Sequence, residues 1–365
     1  MPSLDKTTIY LVGPYPPPFG GVSVHNKRLR MALDDKGYRA RVLAQADLAS
    51  DDPAVSSISL GQIWKPFWSG ITQSRPIVHY HSSGVIPKHF ILLTLLASFK
   101  FPVIITFHSF RQDTSAIMKP CRTLLRLSLR FFSHIICVGS GILDQILDLG
   151  VDRKKISVIP SYIPPILNDS DRYRIPHVIQ EFINNHHPIL TANAYKLVFH
   201  EGEDLYGLDM CIELCRQLKE NYPEVGFVFA LPDIGDEEYY NLLLKRIKEY
   251  DLVSAFWFSR EPIEYWPIIE RSTIFLRPTN TDSFGISVAE AIDLGVPAIA
   301  SDVCERPQGT ILFRRRDAED LRAKVEAVLT SLEDDIVTNS RPKFGKGIVV
   351  DQIEGIYQSA MNELS

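Results

Sequence analysis

Thr281-Asp-Ser-Phe-Gly-Ile-Ser-Val-Ala-Glu290-Ala-Ile-Asp-Leu-Gly-Val-Pro-Ala-Ile-Ala-Ser301-Asp302 reads as loop, helix, turn and strand in one run. Ser283, Phe284 and Gly285 open the segment, and an apolar helix carries Glu290 one to two turns in. Gly295-Val-Pro297 closes that helix, and Ala298-Ile-Ala300 starts a buried strand. A helix start reached through small residues offers unpaired amides and a positive dipole end, which suits a phosphate. A carboxylate further along the helix then reaches the ribose hydroxyls of a nucleotide. The plainer reading is that such units occur throughout α/β proteins and that acids near a helix start only complement its dipole.

Working outward, strand and helix patterns alternate on both sides. The first half reads as strands at Thr7–Gly13, Tyr38–Ala44, Ile77–Tyr80, Val103–Phe107, Ile135–Val138 and Ile156–Ile159. Helices fall at Val22–Asp35, His89–Phe99, Cys121–Phe132 and Ile142–Leu149. Ser161–Pro188, rich in Pro, Asn and Asp, reads as a linker. The second half repeats the alternation, with strands near Ile189 and at Val225–Leu231, Ala255–Phe258 and Ile274–Leu276. Its helices are expected at Gly207–Glu220, Glu237–Tyr250, Glu264–Arg271 and Ala318–Leu332, and Ile348–Leu364 reads as a terminal helix. Strands separated by helices imply parallel sheets with right-handed crossovers. The length of 365 residues suits two domains.

Charge divides the chain the same way. Residues 1–165 carry 19 Lys and Arg against 10 Asp and no Glu, whereas the remainder carries 20 against 34. The basic half is therefore expected to face something anionic. Arg122, Arg126 and Arg130 recur every four residues with Leu and Phe between them. That stripe fits an anionic membrane surface, or alternatively the solvated side of a core helix. Five cysteines without CxxC spacing speak against a disulfide frame or zinc site. The N-terminus lacks an export signal and no apolar run is long enough to span a bilayer, so the cytosol is the expected compartment.

Several residues could carry chemistry. Gly20-Gly21, after Gly13-Pro-Tyr-Pro-Pro-Pro-Phe, lets backbone approach a bound group without Cβ interference; the loop also reads simply as a rigid Pro-rich turn. His79-Tyr-His81 and Thr106-Phe-His108 follow buried strands, at the carboxyl ends where open α/β sheets place ligands. GxGxxG is absent, which disfavours a dinucleotide dehydrogenase.

An acid, Phe-Gly and a second acid eight positions after the first, here Asp282 and Glu290, resemble the donor-site motif of the retaining glycosyltransferases of family 4. The family's usual first acid is Glu. The resemblance spans nearly the whole chain and implies the GT-B fold, two Rossmann-like α/β domains whose parallel sheets face an interdomain cleft. It places an acceptor-side domain at 1–165, with a helix at about 346–365 returning to it, and a nucleotide-sugar domain at 166–345. It implies that the Gly20-Gly21 loop faces donor and acceptor, that His108 in its Thr-x-His context and Asp282 contact the transferred sugar, and that Ser283, Phe284, Gly285 and Glu290 hold the nucleotide.

The family's diphosphate-binding Arg and Lys are missing, since Tyr206 stands where the Lys is expected before Gly207-Leu-Asp. Lys196, Arg260, Arg277 and Arg306 are the candidate replacements, Arg being able to clamp a diphosphate through parallel hydrogen bonds. The resemblance further implies retention of configuration, no metal and no cofactor. It implies a nucleotide diphosphate sugar as donor, with UDP as the expected nucleotide. The acceptor it implies is a saccharide, lipid-linked in bacterial surface-polysaccharide synthesis, and no nucleic acid partner is expected. A nucleotide-sugar epimerase on the same scaffold and a non-catalytic partner of another transferase remain open.

Overall fold

The computed structural model describes residues 7–17, 19–44, 52–57, 76–82, 84, 86–109, 119–334 and 347–363. The start of the chain before Thr7 and Pro18 of the Pro-rich loop, both touched on above, lie outside them. The chain forms two compact units, Met1–Ile163 with Gly345–Ser365, and Pro164–Phe344.

In the first unit, strands β1 (Thr8–Val12), β2 (Arg39–Ala44), β3 (Val55–Ser57), β4 (Ile77–Ser82), β5 (Val103–Phe107), β6 (His134–Cys137) and β7 (Ile156–Val158) form one sheet. Their spatial order is β3-β2-β1-β4-β5-β6-β7, and every pairing is parallel. Side chains alternate across a strand, and here both faces are covered. Tyr10, Val12, Val78, Ile105 and Ile135 point to one face with helices α2 (Pro87–Ser98), α3 (Lys119–Phe131) and α4 (Ser140–Leu147). Ile9, Leu11, Ile77, Ile104 and Ile136 point to the other. That face packs on Leu29 and Leu33 of helix α1 (Gly21–Asp35) and on Val350, Ile353 and Tyr357 of the C-terminal helix (Ile348–Asn362). Lys36 ties that last helix down through Asp351 and Glu354, each at 2.6 Å.

The second unit repeats the plan. Strands β8 (Ile189–Asn193), β11 (Gly226–Ala230), β12 (Phe256–Ser259), β13 (Ile274–Arg277), β14 (Ala298–Ser301) and β15 (Ile311–Phe313) form a sheet of order β12-β11-β8-β13-β14-β15, again all parallel. A small hairpin, β9 (Phe199–His200) and β10 (Glu203–Asp204), precedes helix α7 (Leu208–Leu218). Helices α8 (Glu237–Glu249), α9 (Trp266–Ile269), α10 (Ile286–Asp293) and α11 (Ala318–Glu333) follow. Both sheets are doubly wound, so each reverses direction beside its first strand, and open sheets of this kind bind ligands at the carboxyl side of that switch point. The switch lies between β1 and β4 in one unit and between β8 and β13 in the other.

The expected linker is structured instead. It contains helices α5 (Asp169–Tyr173) and α6 (His177–Asn185), of which Ile179, Phe182 and Ile183 are buried with Ile175, Val228 and Ile268. The polar residues that suggested a loop act as helix starts: the Asn168 side chain accepts from the Asp171 amide, and Pro176 stands at the N-cap of α6. Cys211 and Cys215 are buried packing residues of α7, and all five cysteines are free.

Candidate functional site

At the second switch point the end of β13 delivers Arg277 beside the end of β8. Its Nη1 donates to the Asn193 carbonyl at 3.0 Å and to Asn193 Oδ1 at 3.2 Å, and its Nε donates to Asp282 Oδ2 at 3.0 Å. The guanidinium also lies 5.2 Å from the centre of the Tyr206 ring. A guanidinium held by three neighbours and 14 % exposed is fixed in direction but still open to solvent. Asn193 Nδ2 donates to Ser287 Oγ at 2.9 Å, which ties the end of β8 to the first turn of α10. Glu290, one turn beyond Ser287 on the same helical face, is buried.

Asp282 does not present an open carboxylate. Its Oδ2 accepts from Arg277 and also from Arg306 Nη1 at 2.8 Å, while Oδ1 accepts from the Ser283 amide at 2.9 Å. Burial works to raise its pKa, but the two guanidinium charges outweigh that and hold the carboxyl well below the ordinary carboxylate range. Arg306 is almost wholly buried and spends its other donors on the Ser301 carbonyl, Ser301 Oγ and Thr279 Oγ1. Of the two arginines, only Arg277 has accessible surface to offer a ligand.

Glycine is required twice here. Gly285 has φ of 91°, and a Cβ there would come within 2.8 Å of Arg306 Nη1. Gly207, at φ of 69°, would drive a Cβ into the Pro278 carbonyl. The two helix starts then differ. The Asp204 carboxylate accepts from Tyr206 and Leu208 amides at 3.0 and 2.9 Å and so caps α7. Helix α10 begins at Gly285 without a side-chain cap, which leaves its dipole end available to an anion.

Lys196 lies just past β8, half-buried and with no hydrogen-bond partner among the described residues. Arg260 sits apart, exposed at the end of edge strand β12, two strands from β8. In the first unit Gly20 spends its amide on Ser23 Oγ at 2.8 Å, and Gly21 begins α1. Ser283 and Phe284 are half-buried in the loop before α10.

His108 belongs to a cluster of imidazoles at the first switch point. His79 and His81 of β4, Thr106 of β5 and His108 just past β5 share the sheet face that carries α1. His81 Nδ1 lies 3.0 Å from His108 Nε2, and the His25 ring of α1 is 4.8 Å from His108 and 5.2 Å from His81. His79 bridges Tyr357 Oη and Thr106 Oγ1, both at 2.7 Å. Burial pushes all four pKa values down, aided by the Arg28 charge at His25 and by the neighbouring rings at the other three, to about 4 for His25 and about 3 for His79. The rings are neutral at pH 7. Nothing in the sequence singled out His25, because a lone His on an amphipathic helix carries no motif; Asn193 and Ser287 were equally silent, and Tyr206 was marked only as standing in the place of the expected Lys.

Two family models match the chain, Glycosyltransferase Family 4 over residues 19–165 and Glycosyl transferases group 1 over residues 180–341. The chain belongs to glycosyltransferase family 4. A sulfoquinovosyl transferase of Arabidopsis thaliana is 23 % identical over 331 residues, which cover 82 % of this chain and 59 % of that relative. The chain thus matches less than two thirds of that relative's length. Anabaena HepE, solved with UDP-glucose, superposes with a TM-score of 0.68 at 16 % identity over 98 % of this chain and 99 % of HepE. The lipopolysaccharide outer core galactosyltransferase WaaB gives 0.57 at 14 % identity over 97 % and 99 % of the two chains. These likenesses establish the fold of two Rossmann-like α/β domains.

Proposed function

We propose that this protein is a retaining glycosyltransferase that moves a sugar from a UDP-sugar to a lipid-linked saccharide acceptor in bacterial surface-polysaccharide synthesis. The observation that carries the reading is Arg277, a largely buried guanidinium that keeps a small accessible surface and is fixed beside the uncapped start of α10 at the second switch point. Departure of the nucleoside diphosphate is the costly event, and preoriented positive groups stabilise the charge as it develops. Arg277 and the nearby Lys196 supply that charge in place of the family's missing pair, without a metal. Glu290 binds the ribose. Asp282, with both oxygens engaged, acts as a positioning residue that aims Arg277 rather than as a sugar ligand. His108 contacts the transferred sugar. HepE's complex with UDP-glucose favours the UDP-sugar, and the name of WaaB favours surface polysaccharide.

Membrane docking through the first unit is part of the same reading, at the inner face of the cell membrane. Arg122, Arg126 and Arg130 are exposed on α3, whereas Leu125 and Leu129 are buried. Leu127 and Phe131 on α3, and Ile91, Leu95 and Phe99 at the adjoining α2, are exposed apolar side chains. Among the described residues no helix is long and apolar enough to cross a membrane. Each basic residue near an anionic bilayer contributes about 1 kcal/mol. Replacing the three arginines by Gln is therefore expected to weaken binding to anionic vesicles by at most about two orders of magnitude, measured by sedimentation at low salt. Wild-type protein that ignores such vesicles would remove this part of the reading.

A panel of nucleotide sugars, incubated with and without lipid-linked saccharide, tests the activity. Acceptor-dependent release of nucleoside diphosphate with retained anomeric configuration is the expected result. Isomerised sugar without acceptor would indicate an epimerase, and no turnover with any donor would indicate a non-catalytic partner.

A further inference from the structure

Outside the nucleotide-binding reading, the first unit holds a group of side chains with metal-ligand chemistry. His25, His81 and His108 are all at least nine-tenths buried, and one nitrogen from each lies within 4.8 Å of the others. We propose that these three imidazoles form a binding site for a borderline transition-metal cation such as Zn²⁺, with a fourth position left to water or another small ligand.

Hydrogen bonding supports the assignment independently of proximity. The Ser161 carbonyl can only accept, so His25 Nδ1, 2.7 Å away, must carry the proton and donate it. This leaves a lone pair on His25 Nε2, which is buried and has no partner among the described residues. A metal-bound histidine is held in this way, its second nitrogen donating to a carbonyl. His81 Nε2 is buried without a partner as well. Neutral imidazoles are the ligating form. No Asp or Glu belongs to the set, which disfavours Mg²⁺ or Ca²⁺ and favours a cation that prefers nitrogen. Nitrogens around a tetrahedral zinc lie about 3.3 Å apart. The rings therefore close in on binding, and the bond between His81 Nδ1 and His108 Nε2 is given up. Occupancy removes His108 from the transferred sugar and inhibits transfer; that consequence rests on the function proposed above, whereas binding itself does not.

Titration of the full chain with Co²⁺ reads binding directly. One equivalent giving the visible bands of a low-symmetry, nitrogen-ligated site is expected, with displacement by Zn²⁺. His25→Ala and His81→Ala should each weaken Co²⁺ binding by about 100-fold or more. Absence of bands in wild-type protein, or undiminished binding in a folded variant, overturns the site. Where the variants do not fold, X-ray absorption of zinc-loaded wild type decides: three imidazole scatterers support the site and sulfur scatterers refute it. Zinc that binds there without slowing transfer would refute the role of His108 and leave the site standing.

Discussion

The two units share a strand order yet equip the same topological position with opposite chemistry. At the first switch point four imidazoles are buried together and neutral, hydrogen-bonded to hydroxyls, a carbonyl and one another. At the second, one carboxylate is shared by two guanidinium groups, so charge is retained by pairing. Buried groups either lose their charge or find a partner. The sheet therefore dictates where a ligand can bind, and a few residues at the strand ends decide which ligand it is.

The comparison is broken most forcefully at Asp282. Asp282→Ala strands Arg277 and Arg306 in a buried setting, and removal of one member of such a group costs about 3–5 kcal/mol. Urea unfolding should show that loss. A shift below about 1 kcal/mol would mean that the pairing is an exposed, dispensable one.

Acid should act on the first unit before the second. Burial lowers the folded pKa of His25 to about 4 from its ordinary value of 6.5, so its unfolded form binds a proton more readily. Its contribution is present above pH 6.5 and is lost as pH falls toward 4, worth about 3 kcal/mol for this residue alone. His79, His81 and His108 shift the same way. Asp282, also lowered, keeps its stabilisation until pH falls below its ordinary range near 3.8. Hydrogen exchange between pH 6.5 and 4 should open β4 and β5 while β13 and β14 stay protected. Simultaneous opening would refute the contrast.

A smaller effect sharpens it at the nucleotide. Glu290→Gln removes one charge-assisted hydrogen bond and should weaken UDP by about 1.5–3 kcal/mol, with unfolding unchanged. Unaltered affinity by calorimetry would detach Glu290 from the ribose.

The alternation of strand and helix was legible almost throughout, because buried parallel strands such as Val103–Phe107 read as short apolar runs between amphipathic helices. Short elements were not. β3 is Val-Ser-Ser and β15 is Ile-Leu-Phe, too brief to show a period. α5 and α6 were hidden because Asn168 and Pro176 signal a loop and a helix start equally well. For the site, Arg277 and Glu290 could be named from their neighbours in sequence. The hold of Asn193 and Tyr206 on Arg277, and that of Arg306 on Asp282, depends on strand ends meeting from distant parts of the chain.

Calorimetric titration of UDP into three proteins, wild type, Arg277→Ala and His108→Ala, tests the central claim that Arg277 at the second switch point holds the nucleotide diphosphate. The account predicts that Arg277→Ala weakens UDP by about 10- to 150-fold, the loss of a hydrogen bond to a charged group. His108→Ala should bind UDP as wild type does. Equal affinity in all three proteins, or a loss at His108 as large as that at Arg277, would contradict it.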